Sequence, residues 1–225
     1  MLEIRSIDVS IADAPILRKV SFRVDAGETV AFIGRNGAGK TTTLRAIMGL
    51  VPLSGGGVFF DNADLNAIAP HERPGRGIGY APEDRRLFSA FTVEENILLP
   101  GRVARLSKAE TSRRTGLVYE VLPELREMAD RPAGSVSGGQ GKMVALARAL
   151  MSGTRLVLLD EPFQGLAPAL AHRYAEALRR LRDLDRSLAL VITESNPSLL
   201  KRFAERTLVI ERGEVREAES QEVHP

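Results

Sequence analysis

The stretch that most limits how this chain can fold lies at residues 34–41, which read GRNGAGKT. It fits the pattern G-x-x-x-x-G-K-[ST], which requires a strand before it and a helix after it. Four apolar residues, 30–33, precede the pattern as in a buried strand. Apolar residues then follow at helical spacing, as at Leu44 and Ile47. The sequence therefore predicts a strand, a glycine-rich loop and a helix, the arrangement of an α/β P-loop core.

The residue types in this loop suit the phosphate groups of a nucleotide. Glycines let the backbone approach a ligand closely, and successive N–H groups can then point toward phosphate oxygens. The N-terminus of the following helix adds the positive end of its dipole. Lys40 would contact the β- and γ-phosphates, and the Thr41 hydroxyl would contact Mg²⁺. We predict that the loop and the first turn of the helix bind nucleotide through Gly34, Arg35, Asn36, Gly37, Ala38, Gly39, Lys40, Thr41 and Thr42.

A second apolar strand, residues 156–159, ends in the acidic pair Asp160 and Glu161. Ligands of α/β folds bind at the carboxyl ends of parallel strands, so the pair is predicted to lie at that edge. Asp160 would hold Mg²⁺, and Glu161 would orient or deprotonate the attacking water. Together with the P-loop, the pair predicts nucleotide hydrolysis.

Composition narrows the class of protein. The chain has 225 residues, of which 44% are hydrophobic and 27% charged, as expected for a globular domain with a core. No apolar run reaches the length of a membrane span, and the first residues do not read as a signal peptide, so we expect a cytosolic protein. The lack of cysteine excludes disulfides and thiolate metal sites. The net charge is +2 and no basic run carries interleaved aromatic residues, so nucleic acid is not an expected ligand.

Hydrophobic patterning divides the chain into three regions. Alternating apolar residues at 2–9, read as an edge strand, and at 16–24 predict an antiparallel β layer near the N-terminus. Residues 85–136 show helical patterns, with an N-cap at Thr92, and are predicted to form an all-helical insert. The remaining predicted elements are strands at 58–61, 78–81, 155–160 and 188–193, helices at 168–185 and 198–205, and a hairpin over 206–216.

These elements predict an α/β fold, a P-loop NTPase core with a parallel sheet, the antiparallel β layer and the helical insert. We expect one domain over residues 1–225. Within this domain, the core with its β layer would consist of residues 1–84 and 137–225. The helical subdomain would consist of residues 85–136.

A third motif makes the family specific. Ser137, Gly138, Gly139 and Gln140 open a predicted helix ahead of the strand that ends in Asp160. The ordered set of P-loop, S-G-G-Q and D-E-P resembles the motifs of ABC ATPases, and the resemblance covers nearly the whole chain. It implies that ATP and Mg²⁺ are the cofactors and that two ATPase subunits pair head-to-tail. It also implies that the S-G-G-Q residues bind the γ-phosphate held by the other subunit's P-loop, again at a helix N-terminus.

Within this family, two stretches are similar to the ATP-binding subunits of branched-chain amino acid importers. They are residues 82–96, which begin PEDRRLF, and residues 160–168, which read DEPFQGLAP. The resemblance implies a subunit that powers import of branched-chain or other hydrophobic amino acids from the cytoplasmic face of the inner membrane. Its partners would be two integral membrane permease subunits, a second ATPase subunit or another copy of itself, and indirectly an external substrate-binding protein.

Four positions depart from the family pattern. Glu83 replaces the glutamine of the glutamine loop, although its carboxylate could still bind Mg²⁺. Ser195 stands at the switch-histidine position, and Ile11 stands where an aromatic residue usually stacks on adenine. Ala167 replaces an aspartate. The resemblance thus assigns catalysis to Glu161, Ser195 and Glu83, Mg²⁺ binding to Thr41, Asp160 and Glu83, and adenine contact to Ile11.

The sequence leaves three alternatives open. One is the same role in a urea or short-amide importer, and another is an ABC ATPase that acts on ribosomes or nucleic acid outside transport. The third is a regulatory subunit that binds ATP without hydrolysis. The missing histidine favours the third, whereas Lys40, Asp160 and Glu161 oppose it. The missing histidine also predicts a mixed dimer, in which a second ATPase subunit carries that residue.

Overall fold

The computed structural model describes residues 1–196, 198, 200 and 203–218. The chain divides into two compact units, one built from Met1–Arg76 with the described residues from Ala189 onward, and one from Gly77–Leu188. The strands and α-helices in chain order are β1 (Leu2–Ile11), β2 (Ala14–Val24), β3 (Thr29–Ile33), α1 (Lys40–Ile47), β4 (Gly55–Phe60), β5 (Ala63–Asp64), β6 (Ile78–Ala81), α2 (Val93–Val103), α3 (Lys108–Val121), α4 (Glu124–Glu127), α5 (Gly138–Ser152), β7 (Leu156–Asp160), α6 (Pro168–Leu184), β8 (Ala189–Glu194), β9 (Arg206–Glu211) and β10 (Glu214–Glu217).

The first unit contains the predicted antiparallel layer, with strand order β2-β1-β4-β5. Strand β1 pairs with β2 on one side and with β4 on the other, so the prediction that residues 2–9 form an edge strand is wrong. The alternation of buried and exposed residues in β1 reports that one face of the strand is covered. The alternation carries no information on how many neighbouring strands bond to the backbone. The sequence pattern therefore could not show that β1 has a neighbour on each side.

The P-loop strand β3 lies between two parallel neighbours in the same unit. It pairs with β8 from Thr29 opposite Leu190 to Ile33 opposite Glu194, and with β9 on its other side. All five residues of β3 and all six of β8 are buried, as the unbroken apolar runs predicted. The predicted hairpin is confirmed as β9 and β10. The predicted helix at 198–205 lies partly outside the described residues.

The second unit combines a parallel strand pair with helices. Strand β6 pairs in parallel with β7, from Ile78 opposite Leu156 to Ala81 opposite Leu159. Helix α2 begins at the predicted N-cap Thr92, whose hydroxyl accepts from the Glu95 N–H while the Glu95 carboxylate accepts from the Thr92 N–H. Helices α2, α3 and α4 lie inside the predicted helical stretch, and its boundaries at 85 and 136 stay a prediction.

Hydropathy adds one finding on the helices. Within the described residues, no helix is both long and apolar enough to cross a membrane.

Candidate active site

The P-loop connects β3 to α1 and depends on glycine at positions that other residues would disturb. Gly39 precedes α1 with φ of 116°. A Cβ atom at Gly39 would lie 2.7 Å from Leu17 Cδ2, and one at Gly34 would lie 2.4 Å from the Ile210 carbonyl oxygen. Both conformation and space therefore demand glycine, as the motif predicted.

Neighbouring backbone holds the loop in place. The Gly34 N–H donates to the Glu194 carbonyl at 3.3 Å, at the end of β8. The Ala38 carbonyl accepts from the N–H of Gly213, in the turn between β9 and β10, at 3.1 Å. The loop is thus attached to two elements that follow it in sequence by more than a hundred residues, which fixes its shape before any ligand arrives.

Lys40 opens helix α1, and its side chain is only 5% exposed. Its ammonium donates to the carbonyls of Gly34 at 2.6 Å and Arg35 at 3.1 Å, and to the Ser195 hydroxyl at 3.0 Å. The positive charge of Lys40 therefore lies against the backbone of the P-loop. Thr41 and Thr42 follow in the first helical turn, both partly buried.

Ser195 is brought to the P-loop by the chain just after β8. Its hydroxyl accepts from Lys40 and donates to Asn36 Oδ1 at 2.7 Å. The resemblance placed Ser195 at the switch position, and the structure shows its hydroxyl next to residues of the phosphate loop. Ile11, by contrast, ends β1 with 49% of its surface exposed.

The acidic pair lies in the second unit, at the end of β7. Asp160 and Glu161 are 2% and 3% exposed, respectively. The Tyr80 hydroxyl on β6 donates to Asp160 Oδ2 at 3.2 Å, and Lys142 on α5 donates to the Glu161 carbonyl oxygen at 2.5 Å. Glu161 has φ of 46°, a left-handed conformation that is uncommon for a residue with a side chain.

Sequence reasoning did not single out Tyr80 or Lys142. Tyr80 was counted only as part of a core strand, and Lys142 only as part of the helix that follows the S-G-G-Q motif. A polar residue inside an otherwise apolar strand was one available signal for Tyr80, since a buried hydroxyl needs a partner. For Lys142 the helical spacing offered no comparable signal.

The S-G-G-Q residues form the predicted N-terminus of α5. The Ser137 hydroxyl accepts from the Gln140 N–H at 3.3 Å, and the Gln140 side-chain oxygen accepts from the Ser137 N–H at 2.9 Å. A Cβ atom at Gly139 would lie 1.8 Å from Leu170 Cδ2 on α6, so any side chain here would force Leu170 to move. Ser137 and Gly138 are exposed, and their surface is open to a partner.

Two of the departing positions lie in loops of the second unit. Glu83 occupies the turn after β6, where its side chain is exposed. Ala167 is the residue before α6 and makes no side-chain cap hydrogen bond. Among the described residues, no group of three or more His, Cys, Asp or Glu side chains could hold a metal ion.

The fold and the three motifs are those of an ATP-binding cassette, and comparison with known proteins bears this out. The profile of the family described as ABC transporter matches residues 17–164. The chain belongs to this family. It is an ATPase, the ATP-binding subunit of a transporter, and such subunits work with membrane permease components.

Its relatives do not agree on the transported substrate. The chain is 34% identical to the high-affinity branched-chain amino acid transport ATP-binding protein BraG of Pseudomonas aeruginosa, over 96% of this chain and 91% of that protein. It is also 34% identical to the lipopolysaccharide export system ATP-binding protein LptB of Acidithiobacillus ferridurans, over 96% and 88%. A solved ATP-binding cassette in a dimeric post-hydrolysis state with ADP and Pi superposes with a TM-score of 0.84, at 26% identity over 97% of this chain and 98% of that one. The predicted fold class and ATPase activity are confirmed.

Proposed function

We propose that this chain is the ATP-hydrolysing subunit that powers import of branched-chain or other hydrophobic amino acids. The observation that carries the proposal is the similarity to BraG along 96% of the chain. The stretches at 82–96 and 160–168, which are similar to importer subunits, support the same substrate class.

In this proposal the P-loop binds the phosphates of ATP. Lys40 would exchange its hydrogen bonds to the Gly34 and Arg35 carbonyls for bonds to phosphate oxygens, which are stronger acceptors because they are charged. The N–H groups of the loop and of the first turn of α1 would complete the anion site. Ile11, exposed at the end of β1, would contact the adenine ring.

The residues present also suit Mg²⁺. The Thr41 hydroxyl and the Asp160 carboxylate are both oxygen donors, and Mg²⁺ is commonly held by one or two carboxylates together with substrate phosphates. When bound, the ion would neutralise charge on the β- and γ-phosphates. The Tyr80 hydroxyl orients the Asp160 carboxylate, and Glu83 is a further candidate ligand.

Glu161 is the proposed general base. Its buried carboxylate would take a proton from the water that attacks the γ-phosphate. Ser137, with the N–H groups of Gly138 and Gly139, would bind the γ-phosphate held by a second ATPase subunit. The exposure of Ser137 and Gly138 at the start of α5 is consistent with a role across a dimer interface.

The working dimer is proposed to be mixed. Ser195 offers one neutral hydroxyl where an imidazole could carry a charge, and it is already bonded to Lys40 and Asn36. Two copies of this chain would place the same short residue in both sites. A second ATPase subunit with a histidine at this position would give the dimer one site that hydrolyses ATP faster.

The permease partners are proposed to bind at the cytoplasmic face of the inner membrane. An exposed aromatic pair on the second unit supports a protein partner there. Phe88 and Phe91 are 48% and 37% exposed, their ring centroids lie 5.4 Å apart, and the Arg148 guanidinium lies 5.6 Å from the Phe88 centroid. Aromatic residues and arginine are enriched at protein interfaces.

Uptake measurements test the substrate class. A strain that lacks this chain should lose uptake of radiolabelled leucine, and the wild-type chain should restore it while Lys40→Ala should not. Lys108→Met, which removes an exposed lysine of the second unit, serves as the matched control and should restore uptake fully.

Normal leucine uptake in the deletion strain would contradict the proposal. Loss of surface lipopolysaccharide would then assign the chain to export, for which the similarity to LptB is the supporting observation. Loss of urea or acetamide uptake would assign it to an amide importer. Purification of a tagged chain from membranes should recover two permease subunits and a second ATPase, and recovery of ribosomes or nucleic acid would support a role outside transport.

A further inference from the structure

The S-G-G-Q helix has a direct attachment to the acidic pair at the end of β7. Lys142 lies two residues beyond Gln140 on α5, and its ammonium donates to the backbone carbonyl of Glu161 at 2.5 Å. The two residues are 19 apart in sequence, so the bond joins two separate elements of one compact unit.

The carbonyl that accepts this bond belongs to a residue with an unusual backbone. Glu161 has φ of 46°, a conformation that side-chain-bearing residues adopt only when their surroundings impose it. Such conformations cluster at active sites, where they aim a side chain in a direction that ordinary backbone does not allow. A charged donor on the carbonyl of the same residue is well placed to hold this peptide orientation.

The same lysine also lines a small cavity together with Asp160. Lys142 and Asp160 both line a narrow cavity of about 10 Å³, roughly the space that one water molecule needs. The half-buried Lys142 side chain thus borders a cavity shared with one acidic residue and bonds to the backbone of the other.

We propose that Lys142 is a positioning residue for hydrolysis, which holds Glu161 in its left-handed conformation and so aims its carboxylate at the attacking water. The inference rests on the proposed role of Glu161 as general base. Lys142 itself touches neither ATP nor water in this scheme. Its effect should appear in the rate of the chemical step, because misplacing a reacting group by about 1 Å can cost on the order of a hundredfold in rate.

Steady-state ATPase of the purified full chain tests the proposal. Lys142→Met keeps the length of the side chain but removes the donor, and should lower kcat by about tenfold to a hundredfold. The KM for ATP and the affinity for ATP should stay within twofold, because the P-loop is unchanged. Lys142→Arg keeps both charge and donor and should retain the rate within threefold. Lys108→Met is the matched surface control and should behave as wild type.

A double-mutant comparison separates this proposal from the role of Glu161. If Lys142 acts through Glu161, adding Lys142→Met to Glu161→Gln should change the rate by less than threefold. An additive loss of rate in the double variant would overturn the proposal. A wild-type rate in Lys142→Met would also overturn it, and so would a rate in folded Lys142→Arg as low as that of Lys142→Met. Wild-type turnover in Glu161→Gln would instead overturn the assignment of the base. If Lys142→Met does not fold by circular dichroism, Lys142→Ala replaces it in every comparison.

Discussion

Arg73 should be one of the residues on which the stability of the P-loop helix depends most. Its side chain is 5% exposed and lies beneath the C-terminal end of α1. The guanidinium donates to four backbone carbonyls, those of Ala46 at 3.2 Å, Ile47 at 2.5 Å, Leu65 at 2.7 Å and Ile68 at 3.2 Å. Two of these, Ala46 and Ile47, are terminal carbonyls of the helix that begins with Lys40, and the Ala46 carbonyl also accepts from the Gly49 N–H at 3.0 Å.

The size of the effect of Arg73→Met follows from these bonds. A hydrogen bond to a charged group contributes about 1.5–3 kcal/mol, but the four bonds also compensate the cost of burying the charge. Burial lowers the pKa of Arg73 from its ordinary value, with the Asp64 carboxylate opposing the shift, and arginine still stays charged at neutral pH. Arg73→Met removes the charge together with its bonds and leaves buried carbonyls unsatisfied, which costs about 1–3 kcal/mol per group. We expect about 3 kcal/mol in all, because the Ala46 and Leu65 carbonyls keep backbone partners and methionine refills part of the volume.

Thermal unfolding followed by circular dichroism measures this loss. For a chain of this size, 1 kcal/mol corresponds to about 2–4 °C, so the midpoint should fall by about 6–12 °C. Arg18→Met, which removes an exposed arginine on β2, is the matched control and should change stability by less than about 0.5 kcal/mol. If Arg73→Met unfolded within 2 °C of the control, the reasoning that these carbonyls depend on Arg73 would be refuted.

Three further predictions concern the nucleotide site. Lys40→Ala should weaken ATP binding by about tenfold to a hundredfold, since one charge-assisted contact is lost, and unchanged affinity in a calorimetric titration would contradict the P-loop assignment. Glu161→Gln should bind ATP normally but slow hydrolysis by about 10²–10⁴-fold, since an amide cannot take the proton; single-turnover assays would reveal any residual fast chemistry. Ser195→His should raise the ATPase rate of the isolated chain at least about tenfold with little change in ATP affinity, because a missing transition-state donor typically costs about 10²–10³ in rate. Fast turnover by the unmodified chain, unaltered by this substitution, would argue against a mixed dimer.

Local rules were enough to predict much of this protein from its sequence. The P-loop demands a strand before it, glycines within it and a helix after it, and each requirement involves residues only a few positions apart. The caps at Thr92 and Ser137 were predictable for the same reason, because a cap bonds to N–H groups two or three residues further on. Unbroken apolar runs likewise identified the buried strands β3, β7 and β8.

Tertiary structure alone decided which distant residues meet. Ser195 and Lys40 are 155 residues apart, and Tyr80 and Asp160 are 80 apart, so their hydrogen bonds depend on how strands are ordered in a sheet. The interior position of β1 depends on the same choice, because periodicity shows which face of a strand is buried but not how many strands flank it. The reach of Lys142 to the Glu161 carbonyl depends on where helix α5 packs. Sequence patterns encode local geometry, whereas these contacts exist only because packing of the core brings separate elements within a side chain's length of one another.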